Sequence, residues 1–250
     1  MGVAWVTGAG KGIGRAVALE LAQRGWSVAA SARTESDLAA LAQEAAISGN
    51  HIVPIPLDVT QRATVTQSVD RIETELGGVD LAILNAGTYL RFGAADFDAG
   101  AFGRQIDINV MGTVNCLEPI LQRMRRRRSG HIAVVSSLTA YRGLPYASAY
   151  GASKAALTNM CEALKPELDA LGIGLSVVHP GFVKTPLTDE NDFAMPFLME
   201  AEDAARRIVE GVERGTFDIA FPKRFAFLLK IGRILPYKIY FALTRKMVRE

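Results

Sequence analysis

The stretch VAWVTGAGKGIGRAVALELAQRG, residues 3–25, joins a short apolar run to a segment of helical period through a turn rich in glycine. The apolar run predicts a buried β-strand, and the segment after the turn predicts an α-helix that ends at Gly25. Strand, tight turn and helix in this order form the first half of a βαβ unit. The stretch therefore predicts a parallel sheet with helices packed on its faces.

The same alternation continues along the chain. Further strands are predicted at 27–33, 52–59, 79–87, 131–137 and 174–181. Helices are predicted between them, including a long one from about Phe102 to Arg128, and we find no internal repeat or low-complexity linker. With 250 residues, 49% of them hydrophobic, the chain can bury one substantial core. We predict one doubly wound α/β domain of the Rossmann type over residues 1–250, with an apolar basic extension at about 221–250.

The turn after the first strand holds glycines at positions 8, 10, 12 and 14, in the pattern T-G-x-x-x-G-x-G. Glycine lets the backbone approach a pyrophosphate closely, and a helix N-terminus supplies free N–H groups and the positive end of its dipole. Such a turn can also be a plain structural bend. Its place at the head of a βαβ unit favours nucleotide binding.

The end of the second predicted strand indicates which nucleotide is bound. NAD sites usually hold a carboxylate there for the ribose 2′-hydroxyl, whereas an arginine accommodates the 2′-phosphate of NADP. Here the strand ends in Ala32 and Arg33, no carboxylate follows until Glu35, and Lys11 adds a cation in the glycine turn. We therefore expect NADP, the alternative being that both cations are ordinary surface charges.

A tyrosine and a lysine stand four positions apart in ASAYGASKAAL, residues 147–157. On a helix Tyr150 and Lys154 share one face, and an ammonium together with the positive ring of an oxidised nicotinamide should lower the tyrosine pKa from about 10. Tyr150 is then a candidate general acid or base, and the hydroxyl of Ser137 is placed to bind a substrate oxygen. The alternative is that small residues only let this helix pack closely.

Seven motifs in order carry a family resemblance. They are TGAGKGIG at 7–14, DV at 58–59, NAG at 85–87, Asn109, SS at 136–137, YGASK at 150–154 and PGFVKT at 180–185. With them the sequence resembles the short-chain dehydrogenase/reductase family, classical type, along nearly its whole length. One departure is LNAG, where many members have two asparagines, and another is Pro166, at which we expect a kink or an early end of the helix.

The resemblance implies a catalytic set of Asn109, Ser137, Tyr150 and Lys154. In such enzymes the tyrosine transfers the proton, the serine holds the substrate oxygen, the lysine binds the nicotinamide ribose, and the asparagine sustains a proton relay through water. The implied cofactor-binding residues are Gly8, Gly10, Lys11, Gly12, Ile13, Gly14, Arg33, Asp58, Val59, Asn85, Ala86, Gly87, Tyr150, Lys154, Pro180, Gly181, Val183 and Thr185.

Other classes of site find little support. Cys116 and Cys161 lie in apolar segments without paired spacing, so neither a disulfide framework nor a metal site is expected. The run RMRRRRSG at 123–130 is interpreted as a solvated helix end rather than a nucleic-acid site. The N-terminus carries no signal-peptide pattern, which favours a cytoplasmic setting.

The substrate side is less well defined. In this family specificity comes largely from the segment after the sixth strand, here PLTDENDFAMPFLMEAEDAARR at 186–207. Its apolar side chains are Phe193, Met195, Phe197, Leu198 and Met199. They form either a lid over a hydrophobic substrate or an ordinary cover of the core.

The C-terminal extension differs in charge from the rest of the chain. Residues 221–250 hold eight basic and one acidic side chain, which leaves 20 basic and 25 acidic side chains for the rest, a net charge of −5. Lys230, Arg233, Pro236 and Lys238 interrupt it too often for a membrane-spanning helix. Subunit or core packing and peripheral contact with an anionic membrane both remain open.

These patterns predict an NADP-dependent oxidoreductase that moves a hydride between nicotinamide and a carbonyl or secondary alcohol of a hydrophobic substrate, with reduction as the expected direction. The alternative is a catalytically silent NADP-binding sensor or scaffold protein. The resemblance also implies a homodimer or homotetramer built on the long helices from Phe102 and from Tyr150.

Overall fold

The structure of the chain, a computed structural model, describes residues 2–189 and 195–248. Its centre is one parallel sheet of seven strands. They are β1 Val3–Thr7, β2 Ser27–Ala32, β3 Ile52–Pro56, β4 Val79–Leu84, β5 His131–Val135, β6 Gly174–Pro180 and β7 Asp218–Phe221. The order across the sheet is β3-β2-β1-β4-β5-β6-β7, and every neighbouring pair is parallel. The predicted doubly wound α/β fold is confirmed, and its topological switch point lies between β1 and β4.

Helices cover both faces of the sheet. Their bounds are α1 Gly12–Gln23, α2 Glu35–Ile47, α3 Arg62–Glu75, α4 Ala99–Ile106, α5 Gly112–Arg127, α6 Ser148–Ala170, α7 Pro186–Asp189, α8 Ala201–Glu213, α9 Lys223–Ile234 and α10 Tyr237–Thr244. One hydrophobic cluster joins the sheet to α1, α2 and α8, and a second joins it to α3, α5 and α6. Strands buried on both faces explain why the sequence shows apolar runs without alternation.

The long helix predicted from Phe102 starts earlier and is not uniform. It begins at Ala99, where the Asp98 carboxylate accepts a hydrogen bond of 3.0 Å from the Ala101 N–H and so caps the first turn. Between α4 and α5 the helix widens into a π-helical turn at Asp107–Met111. This turn was not foreseen, because one extra residue leaves no clear trace in a hydrophobic period.

Two features of the sequence were misjudged. The early end expected at Pro166 is wrong, because α6 continues to Ala170 and buries Leu168 in the core. Tertiary packing of that side chain outweighs the hydrogen bond lost at the proline. The seventh strand, Asp218–Phe221, was not predicted, because four residues are too few for a periodic signal.

The arginine run lies at the end of α5, as expected. Arg123 pairs with Asp70 and Glu73, and Arg127 donates to the Val79 carbonyl oxygen. Cys116 and Cys161 are free and buried. Of the helices within 2–189 and 195–248, none has both the length and the apolar composition that a membrane span requires.

Candidate active site

A cleft of about 400 Å³ opens at the carboxyl ends of β1, β2 and β4. Its walls are Gly8, Gly10, Lys11, Gly12, Ile13, Ala32, Arg33, Thr34, Asp37, Leu57, Asp58, Val59, Asn85, Ala86, Gly87, Thr88, Ile108, Thr185, Pro186 and Leu187. Ligands of doubly wound sheets bind in this position, beyond the strand ends next to the switch point. The backbone of the glycine turn forms part of the cleft wall.

The glycine turn needs glycine for both conformation and space. Gly8 has φ +66°, and a Cβ atom there would lie 2.8 Å from Nδ2 of Asn85. Gly12 has φ +56°, and a Cβ atom there would lie 2.9 Å from Cγ2 of Thr185. A side chain at either position would therefore be strained and would push into the opposite wall. The absence of side chains keeps the backbone of the turn open to a ligand.

The N-terminus of α1 points its first-turn N–H groups toward this turn. Its N-cap, Lys11, makes no side-chain hydrogen bond to the helix, and the first turn holds no acidic residue. Unsatisfied N–H groups together with the helix dipole favour a bound anion. The turn and the helix end thus suit the pyrophosphate of a dinucleotide.

Three charged side chains stand where such a dinucleotide would place its adenosine ribose. Arg33 and Lys11 line the cleft as expected, and both are exposed. Asp37, on α2, was not foreseen, and its carboxylate lies 3.4 Å from Nζ of Lys11. The end of the second strand carries no sign of this carboxylate, because the first turn of α2 brings Asp37 back to the same cleft. The local charge is therefore two cations and one anion.

A second cavity, of about 380 Å³, adjoins the cleft, and Leu187 lines both. Its walls are Tyr89, Arg91, Ser137, Leu138, Thr139, Leu144, Pro145, Tyr146, Ala147, Tyr150, Pro180, Gly181, Phe182, Leu187, Thr188, Phe225, Leu229, Lys246 and Met247. Most of the lining is aliphatic or aromatic. Tyr146 has φ +61°, a left-handed conformation that is uncommon for an aromatic residue. Strained backbone of this kind concentrates at ligand sites.

Tyr150 and Ser137 come together in this cavity. Ser137 follows β5, Tyr150 lies in the first turn of α6, and both side chains line the cavity. Burial raises the pKa of Tyr150 to about 12, although the nearby Ser137 hydroxyl acts in the opposite direction. The ring of Tyr89 packs on that of Tyr150 with 5.0 Å between centroids. Tyr89 belongs to no motif, so no sequence pattern predicts this contact.

Lys154 lies behind Tyr150 and is buried. Its Nζ donates 2.8 Å to the Val135 carbonyl oxygen and lies 5.7 Å from the centre of the Tyr150 ring. Burial lowers the pKa of this ammonium to about 8, since a low-dielectric surrounding disfavours its charged form. The protein's own groups therefore do not give the lowered tyrosine pKa that the sequence led us to expect.

Asn109 lies on the π-helical turn, where an extra residue aims its side chain inward. Its carboxamide accepts from the Thr88 N–H at 2.7 Å and donates to the Thr88 carbonyl oxygen at 3.0 Å. It also donates to Oγ of Ser153 on α6 at 2.9 Å. Asn109 thus ties the cleft wall after β4 to the helix of Tyr150 and Lys154. Single π-helical turns are frequent at functional sites.

A buried polar chain behind Lys154 was also missed. Asp218 on β7 lies 2.8 Å from Nδ1 of His179, whose Nε2 lies 3.0 Å from the hydroxyl of Thr158. Thr158 continues to Ser136, which donates to the Lys154 carbonyl oxygen at 2.8 Å. The chain links β7 to the backbone of α6. Ser136 and Asp218 are 82 positions apart in the sequence, so no local spacing pattern predicts this chain of hydrogen bonds.

Comparison with known proteins fits this geometry. The family described as short chain dehydrogenase matches residues 2–195. The chain belongs to the short-chain dehydrogenase family. An uncharacterized oxidoreductase of Myxococcus xanthus is 38% identical over 244 residues, which cover 98% of this chain and 96% of that protein. Family membership makes the chain an oxidoreductase by class.

Two solved structures share the fold of this short-chain dehydrogenase. A short-chain dehydrogenase/reductase from Burkholderia phymatum, in complex with NAD, aligns with a TM-score of 0.86 at 24% identity and covers 92% of each chain. An alcohol dehydrogenase from Thermococcus sibiricus, complexed with 5-hydroxy-NADP, aligns with a TM-score of 0.80 at 24% identity, over 88% of this chain and 96% of that one.

Most residues expected at the cofactor site of this short-chain dehydrogenase line the cleft. Six of them lie elsewhere. Pro180, Gly181 and Tyr150 line the second cavity, Val183 is buried, and Lys154 is buried behind Tyr150. Gly14 supports the turn from behind, since a Cβ atom there would collide with the Gly8 carbonyl oxygen. The other expected cofactor residues line the cleft itself.

Proposed function

We propose that the chain is an NADP-dependent oxidoreductase that interconverts a hydrophobic carbonyl compound and its alcohol. The observation that carries the proposal is that Ser137 and Tyr150 line the same largely apolar cavity, next to the glycine-lined cleft. A proton donor and a hydroxyl that can hold the same oxygen are what reduction of a carbonyl requires. When bound, the nicotinamide supplies or takes up the hydride.

The cleft supports a nicotinamide dinucleotide, and the charges near Arg33 favour NADP within that class. The glycine turn and the N-terminus of α1 would hold the pyrophosphate. Arg33 and Lys11 would pair with a 2′-phosphate, and Asp37 already pairs with one of these cations. The related folds bind NAD in one case and 5-hydroxy-NADP in another, so the fold serves both forms.

In the reductive direction Tyr150 gives its phenol proton to the substrate's carbonyl oxygen while the carbonyl carbon accepts the hydride. Ser137 donates a hydrogen bond to the same oxygen as negative charge builds on it. A pKa of about 12 keeps the phenol of Tyr150 protonated at neutral pH, which is the form that reduction needs. As the family resemblance implies, Lys154 would bind the nicotinamide ribose and Asn109 would sustain a proton relay through water.

The cavity walls support a hydrophobic substrate class. Leu144, Pro145, Phe182, Phe225 and Leu229 are among the residues that line the cavity. Apolar walls of this size gain free energy from burying aliphatic or aromatic carbon and offer few hydrogen bonds to a polar substrate. Of the lid segment, Phe197 packs against Phe225 with 6.0 Å between ring centroids. Phe193 lies outside the described residues, and the lid itself stays a prediction.

The assembly that we propose is a homodimer or homotetramer formed through the long helices α4–α5 and α6, in the cytoplasm. This rests on the family resemblance alone. Sedimentation of the purified chain would measure it, and a monomer at micromolar concentration would contradict it.

NADPH oxidation against a panel of ketones, aldehydes, acyl chains and steroids tests the proposed reaction. Tyr150→Phe should lower turnover by about 10²–10⁴-fold, the usual contribution of a general acid, and leave NADPH binding in place. Tyr237→Phe is the matched control, because it removes a phenol hydroxyl from a residue that is 70% exposed. Equal turnover by Tyr150→Phe and the control would contradict the assignment. Tight NADPH binding without turnover on any compound would favour a sensor or scaffold instead.

A further inference from the structure

The C-terminal helices α9 and α10 are anchored beside the second cavity. Ala226 of α9 packs in a small cluster with Leu138 and Tyr141, in the segment that follows Ser137. The hydroxyl of Tyr240 donates 2.6 Å to the Gly143 carbonyl oxygen. Arg142 donates 2.6 Å to the Leu235 carbonyl oxygen and stacks over the Tyr240 ring at 4.0 Å. One face of the tail is therefore fixed to the cavity wall.

The opposite face of the tail is apolar and exposed. Of the sixteen exposed large hydrophobic side chains in the described residues, ten lie in this tail. They are Phe227, Leu228, Ile231, Ile234, Tyr237, Ile239, Phe241, Leu243, Met247 and Val248. Phe227, Ile231 and Ile234 follow the spacing of one helix face, and Ile234 is 81% exposed. So dense an apolar surface marks an interaction site. We refer to the exposed side of residues 221–248 as the tail surface.

The tail surface carries charge of one sign. Residues 221–248 contain seven lysines and arginines and no acidic residue. Lys230 is paired with Asp218 at 2.5 Å. The other six are exposed, and none of them pairs with a carboxylate of the described residues. These are Lys223, Arg224, Arg233, Lys238, Arg245 and Lys246.

An anionic lipid bilayer matches this combination better than a second copy of the chain does. A symmetric contact between two copies places the same patch against itself, so the cations of one copy would face those of the other. A bilayer with acidic lipids accepts apolar side chains at the headgroup boundary and pairs its phosphates with lysine and arginine. Both features of the tail surface are then satisfied by one partner.

The tail surface also borders the second cavity. Leu229, Lys246 and Met247 line that cavity together with Ser137 and Tyr150. We propose that the tail surface docks on an anionic lipid bilayer and that the cavity takes its carbonyl or alcohol substrate from the membrane. The second part rests on the proposed function, and the docking does not.

Co-sedimentation with vesicles tests the docking without any turnover. The probes are vesicles of phosphatidylcholine with about one third phosphatidylglycerol, and vesicles of phosphatidylcholine alone. Ile234→Glu should weaken binding to the acidic vesicles at least about tenfold, because it removes an aliphatic side chain that docking would bury and adds charge repulsion. Ile47→Glu is the matched control, since Ile47 lies on α2 and is 82% exposed. Equal binding of the two variants, or no binding of the unaltered chain, would overturn the docking.

Charge variants separate the bilayer from a second copy. Lys238→Glu should weaken binding to the acidic vesicles, and its matched control Arg207→Glu, an exposed change on α8, should not. Salt should weaken binding by the unaltered chain, and vesicles without acidic lipid should bind it less. If Ile234→Glu instead dissociates an oligomer while vesicles bind neither protein, the tail surface is a subunit contact and the proposal fails.

Delivery from the membrane is measured separately, with one ketone dissolved in the vesicles and one short soluble ketone. Ile234→Glu should lower turnover of the membrane ketone relative to Ile47→Glu and leave turnover of the soluble ketone equal. Equal turnover of the membrane ketone by both variants would contradict the proposal that the cavity takes its substrate from the membrane. Docking without turnover of any ketone would contradict the proposed reaction and leave the docking established.

Discussion

Nζ of Lys154 lies 5.7 Å from the centre of the Tyr150 ring, yet its hydrogen bond goes to the Val135 carbonyl oxygen. The ammonium is held under the tyrosine by the backbone of β5 and not by the phenol. Its position is fixed, but its charge is costly, because burial lowers its pKa to about 8. A buried ammonium that lowers the stability of the fold in this way indicates selection for function over stability.

Lys154→Met should show this cost as a pH dependence of stability. The folded chain holds the lysine pKa at about 8, against an ordinary value of 10.5, so the penalty is complete below pH 8 and absent above pH 10.5. The stability of Lys154→Met relative to the unaltered chain should therefore fall by about 3 kcal/mol as pH rises through this window. Urea unfolding at several pH values measures it. Lys238→Met, which removes an exposed ammonium, is the control, and the same decrease there would contradict the explanation.

Arg33→Ala should separate the two forms of the cofactor. Loss of a charge-assisted contact to the 2′-phosphate should weaken NADPH binding about tenfold and leave NADH binding unchanged. Asp37→Asn should act in the opposite direction on NADPH, since it frees Lys11 from its carboxylate at 3.4 Å. Fluorescence titration of both nucleotides measures this, with Arg207→Ala as the exposed control. Equal losses for NADPH and NADH in Arg33→Ala would argue against a 2′-phosphate site.

Gly12→Ala should impair cofactor binding through contact as well as through strain. The new methyl group would lie 2.9 Å from Cγ2 of Thr185, which lines the same cleft. Gly49→Ala is the matched control, because Gly49 has a similar φ of +73° and nothing within 4 Å of a built Cβ atom. Both variants should lose about 1 kcal/mol of stability from the backbone. Only Gly12→Ala should weaken nucleotide binding, and equal affinities would show that Thr185 yields without effect.

Asp218→Asn should change how the free energy of unfolding depends on pH in the acid range. Burial acts to raise the pKa of Asp218, but hydrogen bonds from His179 and Lys230 outweigh it and hold the pKa at about 2. The contribution of this group is present above pH 4 and lost as pH falls toward 2. Asp218→Asn should cost roughly 1–2 kcal/mol at pH 7, and the difference from the unaltered chain should shrink below pH 4. Acid unfolding curves measure it. Asp70→Asn, at an exposed carboxylate, should not reproduce the trend.

The sequence was most informative where local chemistry and periodicity act together. The strand before Gly8 is apolar throughout and the helix after it has a clear period, so the first βαβ unit and the turn between its elements could be predicted. Tyr150 and Lys154 share a helix face because of their spacing. The position of Ser137 beside them followed from the rule that ligands gather at strand ends.

Contacts that form only when distant parts of the chain pack together could not be predicted from the sequence. Tyr89 reaches Tyr150 across the cavity, Asp37 reaches Lys11 from the next helix, and His179 meets Asp218 through a strand that was not foreseen. None of these pairs has a characteristic spacing. Their positions depend on how elements distant in sequence pack together, which no local pattern encodes.

The π-helical turn at Asp107–Met111 makes the site depend on chain length as well as on residue identity. Deleting one residue there would turn the segment into an ordinary α-helix and rotate everything before the deletion by about 100° relative to α5. The contacts of Asn109 with Thr88 and Ser153 would then be lost, although every side chain of the proposed catalytic set was retained. Single-residue deletions in this turn should therefore impair the site more than most substitutions around it. The number of residues in this segment is then as much a requirement of the site as the identity of its side chains.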